Sequence, residues 1–166
     1  MSAAVKLSSP ATREFWEIPA LFEDEHLLAL DKPAGLLTAP DPDNAERPSL
    51  MKLLHAGIAA GKPWATARNL TYLNRAHRLD FETTGVLLFA KTKAAFMTLA
   101  DLFGGEKPAR NHLALVWGNP SDKCFTVDAP LAPHPLKAGQ MCVPPNNGKK
   151  ARTDFEVLEQ FSDWSL

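Results

Sequence analysis

His77-Arg78-Leu79-Asp80-Phe81-Glu82-Thr83-Thr84-Gly85 is followed at once by the apolar run Val86-Leu87-Leu88-Phe89-Ala90 and then by Lys91-Thr92-Lys93. Charge and hydroxyl groups are thus gathered directly ahead of what reads as a buried strand. Thr83, Thr84 and Gly85 suit a tight turn, with hydroxyls bonding nearby backbone and the glycine supplying conformational freedom. Such a turn holds Asp80 at the rim of a sheet. An acid placed there, two residues after an arginine, is a candidate catalytic carboxylate. A neighbouring guanidinium favours its charged form, although residues two apart in an extended segment share a face without necessarily touching. The letters do not suit a protein kinase: Leu79 interrupts H-R-D, and neither a G-x-G-x-x-G loop nor D-F-G is present. His77 and Asp80 as metal ligands lack a further Cys/His cluster at metal-site spacing.

Upstream of this stretch, two short apolar pieces between Ile18 and Ala29 flank Glu23-Asp24-Glu25 and read as a hairpin. The second piece runs into Asp31-Lys32-Pro33-Ala34-Gly35, where Pro and Gly end the strand. Residues 1–14 read as a loose leader, and Pro40–Asn44 as a loop. Ser49 is placed to cap a helix through about Ala60, with Leu50, Leu53, Leu54 and Ile58 as its apolar stripe. Gly61 and Pro63 stop that helix. His55 reads as a helix-surface histidine and Trp64 as a packed residue of a connector. Downstream, Thr92 caps a second helix to about Phe103, with Phe96, Leu99, Ala100 and Phe103 packing inward and Gly104-Gly105 ending it. Further strands are expected over Arg110–Val116, Cys124–Val127, Gln140–Val143 and Ala151–Leu158, with turns of Gly118-Asn119-Pro120 and Asn-Gly type between them. Strands with two helices in this order indicate an α+β domain: a mostly antiparallel sheet with flanking helices.

At 166 residues, 45% of them hydrophobic, the chain is about one domain long and supplies a core. No apolar run approaches the ~18 residues that span a membrane, and Met1–Lys6 lacks the apolar centre of a secretion signal. Cys124 and Cys142 therefore read as reduced thiols of a cytoplasmic protein. The net charge of −1 is unevenly spread. Residues 1–46 carry a net −6, whereas residues 62–110, which surround the motif, carry +4. A basic surround is where a nucleic-acid backbone would lie, although a solvated surface shows the same excess.

The order H-R-L-D, two residues, T-[ST]-G and an apolar strand resembles the catalytic motif of RluA-type RNA pseudouridine synthases, within the RluA/RsuA superfamily. Asp80 matches that family's essential aspartate. The resemblance implies isomerisation of a specific uridine in rRNA or tRNA, in which the N-glycosidic bond breaks and the uracil rejoins the sugar through carbon 5. An ionised carboxylate can attack C1′ or act as base at C2′, and both roles stay open. The resemblance also implies RNA as partner, no cofactor and no metal. Arg78 would fill the space left by the flipped base, with His77 and Thr84 among the RNA-binding residues. Asp31–Gly35 is similar to the family's first motif, which is mainly structural. Arg110–Gly118 lines up with K-x-Y-L-A-L-V-x-G, whose tyrosine contacts the target base. Here that place holds His112, which can stack on a base and exchange a proton.

Lys149–Leu158 resembles the stretch leading into the family's last catalytic strands. There a T-G-R-x-H-Q-I-R segment follows, carrying the basic residue that pairs with the aspartate, whereas this sequence stops at Leu166. The expectation is therefore a pseudouridine synthase fold over residues 15–166, incomplete at its C-terminus and without an S4 domain. Two alternatives belong beside it. One is a non-catalytic RNA-binding remnant of such an enzyme. The other is a glycosidic-bond hydrolase using Asp80 with Glu82, whose carboxylates would need a separation of ~5–9 Å.

Overall fold

The computed structural model describes residues 4–44, 46–105, 108–137 and 139–166. Its strands are β1 (Val5–Ser9), β2 (Glu14–Ile18), β3 (Ala20–Glu23) and β4 (Leu27–Lys32). Two helices, α1 (Leu50–Ala59) and the short α2 (Pro63–Thr66), come next, then β5 (Asn74–Arg75), β6 (Gly85–Ala90) and α3 (Lys93–Gly104). The remaining strands are β7 (Val116–Trp117), β8 (Cys124–Asp128), β9 (Ala132–Pro133), β10 (Met141–Cys142), β11 (Arg152–Glu156) and β12 (Trp164–Ser165). The chain divides into two compact units, residues 1–109 and 110–166.

In the first unit, an antiparallel four-stranded sheet has the order β3-β4-β6-β5. The expected β3–β4 hairpin forms. The Asp24 carboxylate turns it by accepting from the backbone N–H of His26 (2.8 Å) and Leu27 (2.6 Å), and those two bonds lower the Asp24 pKa. Strand β4 pairs with β6 from Leu27 opposite Ala90 to Lys32 opposite Gly85. This register brings the start of the D-K-P-A-G stretch, Asp31 and Lys32, against Val86 and Gly85 at the end of the H-R-L-D stretch. Leu28, Leu30, Leu87 and Phe89 are fully buried between the sheet and α1.

Both helices begin where side-chain caps were expected. The Ser49 hydroxyl accepts from Lys52 N (3.4 Å) and the Thr92 hydroxyl from Ala95 N (3.1 Å). The inner face of α1 is Leu50, Met51, Leu54 and Gly57, shifted from the expected stripe. Leu53 and Ile58 pack only partly against the core. In α3, Leu99 is buried whereas Phe96 and Phe103 are half-buried and Ala100 is exposed.

Two expectations are corrected. Residues 1–14 are not a loose leader: β1 pairs antiparallel with β2 along its whole length, and Val5 and Leu7 are buried in the core beside Ile18. The alternation Val5-Lys6-Leu7-Ser8 is the physical reason, since it gives the strand one apolar face. Nor is Arg110–Val116 a strand. Only Val116–Trp117 is extended and paired, with Trp164–Ser165 opposite. Residues 111–115 are exposed and belong to no strand among the described residues, so the apolar run Leu113-Ala114-Leu115 joins no sheet there.

The second unit contains three two-stranded ribbons: β8 with β11, β9 with β10, and β7 with β12. Aromatic pairs join two of them. Phe125 stacks on Phe155 across β8–β11 at 4.9 Å, and Trp117 meets Trp164 edge to face at 5.0 Å.

Gly57 faces Trp64, and a Cβ there would collide with the indole ring. Helix propensity alone favours alanine at this position by about 1 kcal/mol. Packing opposes it, and we expect Gly57→Ala to destabilise the protein by about 1–3 kcal/mol in urea unfolding. A stabilised variant would show that Trp64 moves aside freely.

Candidate active site

Strand alternation puts Leu28, Leu30 and Lys32 on the same face of β4, and all three are fully buried. A buried ammonium must find acceptors. The Lys32 Nζ donates to the carbonyls of Thr83 (2.8 Å), Pro33 (2.9 Å) and, at longer range, Phe81 (3.4 Å). Two of these acceptors belong to the turn that follows Asp80. Burial lowers the Lys32 pKa, and the Asp80 and Glu82 carboxylates act in the opposite direction.

Further bonds hold the same turn. Gly35 N donates to Phe81 O at 2.9 Å, from a left-handed backbone conformation (φ +74°) suited to glycine. The buried Thr38 hydroxyl donates to Leu79 O (2.6 Å) and accepts from Leu79 N (3.2 Å). Thr38 is itself tied to a helix start: Leu50 N donates to Leu37 O (2.7 Å) and Met51 N to Thr38 O (3.2 Å). Thr83 N donates to Asp80 O at 3.2 Å. Among the described residues, the turn is thus closed by backbone bonds and Lys32 rather than by the hydroxyls of Thr83 and Thr84. Gly85 then enters β6 at φ +120°, a conformation that disfavours any side chain.

His77 is committed to the scaffold. Its Nε2 accepts from Leu88 N at 3.2 Å, and its ring stacks parallel on Phe103 at 5.4 Å. Asp80 stands outside this network. Its side chain is 79% exposed, and Arg78, 77% exposed, brings Nη2 to within 3.5 Å of its Oδ1. The pair left open in an extended segment therefore does meet. Beside it, the Arg47 guanidinium lies 4.6 Å from the centre of the Phe81 ring. Thr84 and Glu82 are exposed at the turn. His112 lies in the second unit, exposed and outside any strand.

Asp80 does not line the apolar hollow of the first unit. That hollow, of about 660 Å³, lies between the β1–β2 hairpin and the α1–α2 region, with Leu7, Phe15, Leu53 and Trp64 in its walls. No residue of the H-R-L-D stretch lines it. The Asp80 carboxylate instead sits on an open surface.

Three residues of the site were not singled out from sequence: Lys32, Thr38 and Arg47. The signal for Lys32 was present in the alternation Leu28, Leu30, Lys32, which places an ammonium on a buried face. Thr38 and Arg47 act through contacts made 41 and 34 positions along the chain and leave no local pattern.

Replacing Lys32 by methionine keeps the volume and removes the donors, leaving buried carbonyls without their partner. We expect a loss of about 2–4 kcal/mol. The alkaline behaviour checks the same group. With its pKa lowered in the folded state, native Lys32 holds fewer protons than the unfolded chain between that value and 10.5, so stability rises with pH across the window. The wild type should gain on Lys32→Met as pH approaches 10.5, and parallel denaturation midpoints would contradict the assignment.

Comparison with known proteins agrees with this geometry. The sequence profile of the RNA pseudouridylate synthase family matches residues 26–166. Ribosomal large subunit pseudouridine synthase D of Nitrosomonas europaea is 41% identical over 88% of this chain and 40% of its own length. The dual-specificity RNA pseudouridine synthase RluA of Escherichia coli K12 is 32% identical over 86% of this chain and 60% of its own. The chain thus spans roughly half the length of the curated relatives it matches. Among solved structures, human RNA pseudouridylate synthase domain containing 1 superposes with a TM-score of 0.61 at 19% identity, covering 90% of this chain and 57% of that one. Human RNA pseudouridylate synthase domain containing 4 gives 0.59 at 21% identity, over 88% and 56%. These two likenesses establish the α+β pseudouridine synthase fold. With the profile match over most of its length and an aspartate presented by an anchored turn, the chain belongs to the RNA pseudouridylate synthase family.

Proposed function

We propose that this chain carries the aspartate-bearing part of an RNA pseudouridine synthase that isomerises a uridine of ribosomal or transfer RNA in the cytoplasm. The observation that carries the reading is Asp80. It is held on an exposed rim by a turn anchored from below, with the Arg78 guanidinium 3.5 Å from its carboxylate. In the proposed reaction the C1′–N1 bond breaks, the uracil turns, and a C1′–C5 bond forms while C5 loses its proton. Asp80 attacks C1′ as N1 leaves and is itself displaced by C5, or it takes the C2′ proton so that a glycal forms while the base turns and returns that proton as C1′ bonds to C5; in both, C5 gives its proton to solvent and N1 ends protonated. Arg78 takes the place of the flipped base in the RNA stack, and Thr84 contacts the RNA at the turn. His77 is reassigned from RNA contact to support, because both its Nε2 and its ring face are engaged within the protein. His112 contacts the RNA from the second unit by stacking. The reaction calls on neither metal nor cofactor.

The test is Asp80→Asn in the intact protein, with pseudouridine in ribosomal and transfer RNA measured by mass spectrometry. Because the side chain is exposed, stability should change by no more than about 0.5 kcal/mol, while the modification disappears. Pseudouridine persisting at the wild-type level would refute the role. A primary isotope effect with uridine deuterated at C2′ marks the base mechanism, and its absence marks attack at C1′.

A further inference from the structure

We propose that Arg47 is an RNA-positioning residue that binds a backbone phosphate beside the target nucleotide, and that Asp41 holds its place until RNA arrives. The inference rests on reading the Asp80 turn as the RNA-facing site. Phe81 follows Asp80 directly, so their Cα atoms lie ~3.8 Å apart. Its carbonyl is fixed by Gly35 N and Lys32. A group resting on its ring is thereby positioned relative to the catalytic carboxylate, and that group is the Arg47 guanidinium, 4.6 Å from the ring centre.

The remaining contacts of Arg47 are weak. Its Nη1 donates to Asp41 Oδ2 at 3.3 Å, and its side chain is 40% exposed. A guanidinium has five N–H donors in a planar fork matched to phosphate oxygens, so most of its capacity is uncommitted among the described residues. Asp41 is anchored independently, because its Oδ1 accepts from Asp43 N at 3.0 Å. It stays in the loop when the arginine leaves. A backbone phosphodiester carries the same single negative charge as the carboxylate but offers two non-bridging oxygens to the guanidinium fork, against the one 3.3 Å bond to Asp41. Arg78 thus pairs with Asp80 itself and Arg47 with the ring of the next residue, so this turn carries two cations able to neutralise the phosphates that flank a flipped uridine. The single base at position 47 also breaks the acidic run of residues 1–46 at the point where the chain approaches the site.

The experiment uses the intact protein and a fluorescein-labelled stem–loop RNA with a loop uridine. Affinity is measured across a salt series for the wild type, Arg47→Ala, Arg47→Met and Asp41→Asn. Arg47→Met keeps an apolar stem over Phe81, which separates loss of charge from loss of packing, and thermal melting verifies that each variant is folded. We expect Arg47→Ala and Arg47→Met to bind roughly three- to tenfold more weakly at low salt, with the slope of log affinity against log salt reduced by about one. Asp41→Asn should bind more tightly. In the pseudouridine assay the arginine variants should raise KM with little change in kcat. An unchanged salt slope in folded Arg47→Met overturns the inference, even where affinity falls, because it leaves packing as the only role. Formation of pseudouridine with a slope indifferent to Arg47 refutes this contact alone. A reduced slope in a protein that makes no pseudouridine refutes the synthase reading and leaves the contact standing.

Discussion

The ammonium of Lys32 is the constraint on which the site depends. Completely buried at the end of a strand, it is costly to desolvate, and the carbonyls of Pro33, Phe81 and Thr83 offset that cost. Those carbonyls come from two turns about fifty residues apart in sequence. The chain cannot satisfy the lysine without bringing the turn after β4 against the turn before β6. The antiparallel register that places Lys32 opposite Gly85 makes this possible, and the positive φ of Gly85 lets the backbone leave the ladder toward Asp80.

This arrangement separates the cost of order from the chemistry. Residues on either side of Asp80 are held by buried or backbone groups: Leu79 by Thr38, and Phe81 by Gly35 and Lys32. The carboxylate itself is left on the surface. A fixed backbone with an accessible functional group is what preorganised catalysis requires, because the group does not have to be ordered when the substrate arrives. An exposed acid is also poorly isolated from water.

Most of the first unit was legible in local signals. Apolar runs bounded by Pro, Gly and acidic turns gave the β3–β4 hairpin and β6, and Ser49 and Thr92 marked helix starts that do form. What failed depended on partners distant in sequence. Strand β1 has only two inward apolar residues, too few to stand out until β2 is laid beside it. Residues 111–115 end in the apolar run Leu113-Ala114-Leu115 yet belong to no strand among the described residues, since composition states a preference and pairing decides the outcome. In the site, the identity of Asp80 and its proximity to Arg78 could be read from the motif. The support beneath them could not, because Thr38 and Arg47 make contacts across more than thirty residues.

The tie between Thr38 and α1 has a dynamic consequence. The same residue clamps Leu79 through its hydroxyl and receives the Met51 amide through its carbonyl, while Leu37 receives the Leu50 amide. Two of the otherwise orphaned N–H groups at the start of the helix are therefore satisfied by the segment that steadies the Asp80 turn. In native-state hydrogen exchange, the amides of Leu50, Met51 and Leu79, all bonded to Leu37 or Thr38, should therefore open together. An opening that frees the aspartate's turn also unravels the first turn of α1. RNA bound over Asp80 would then slow exchange at a helix that it never touches.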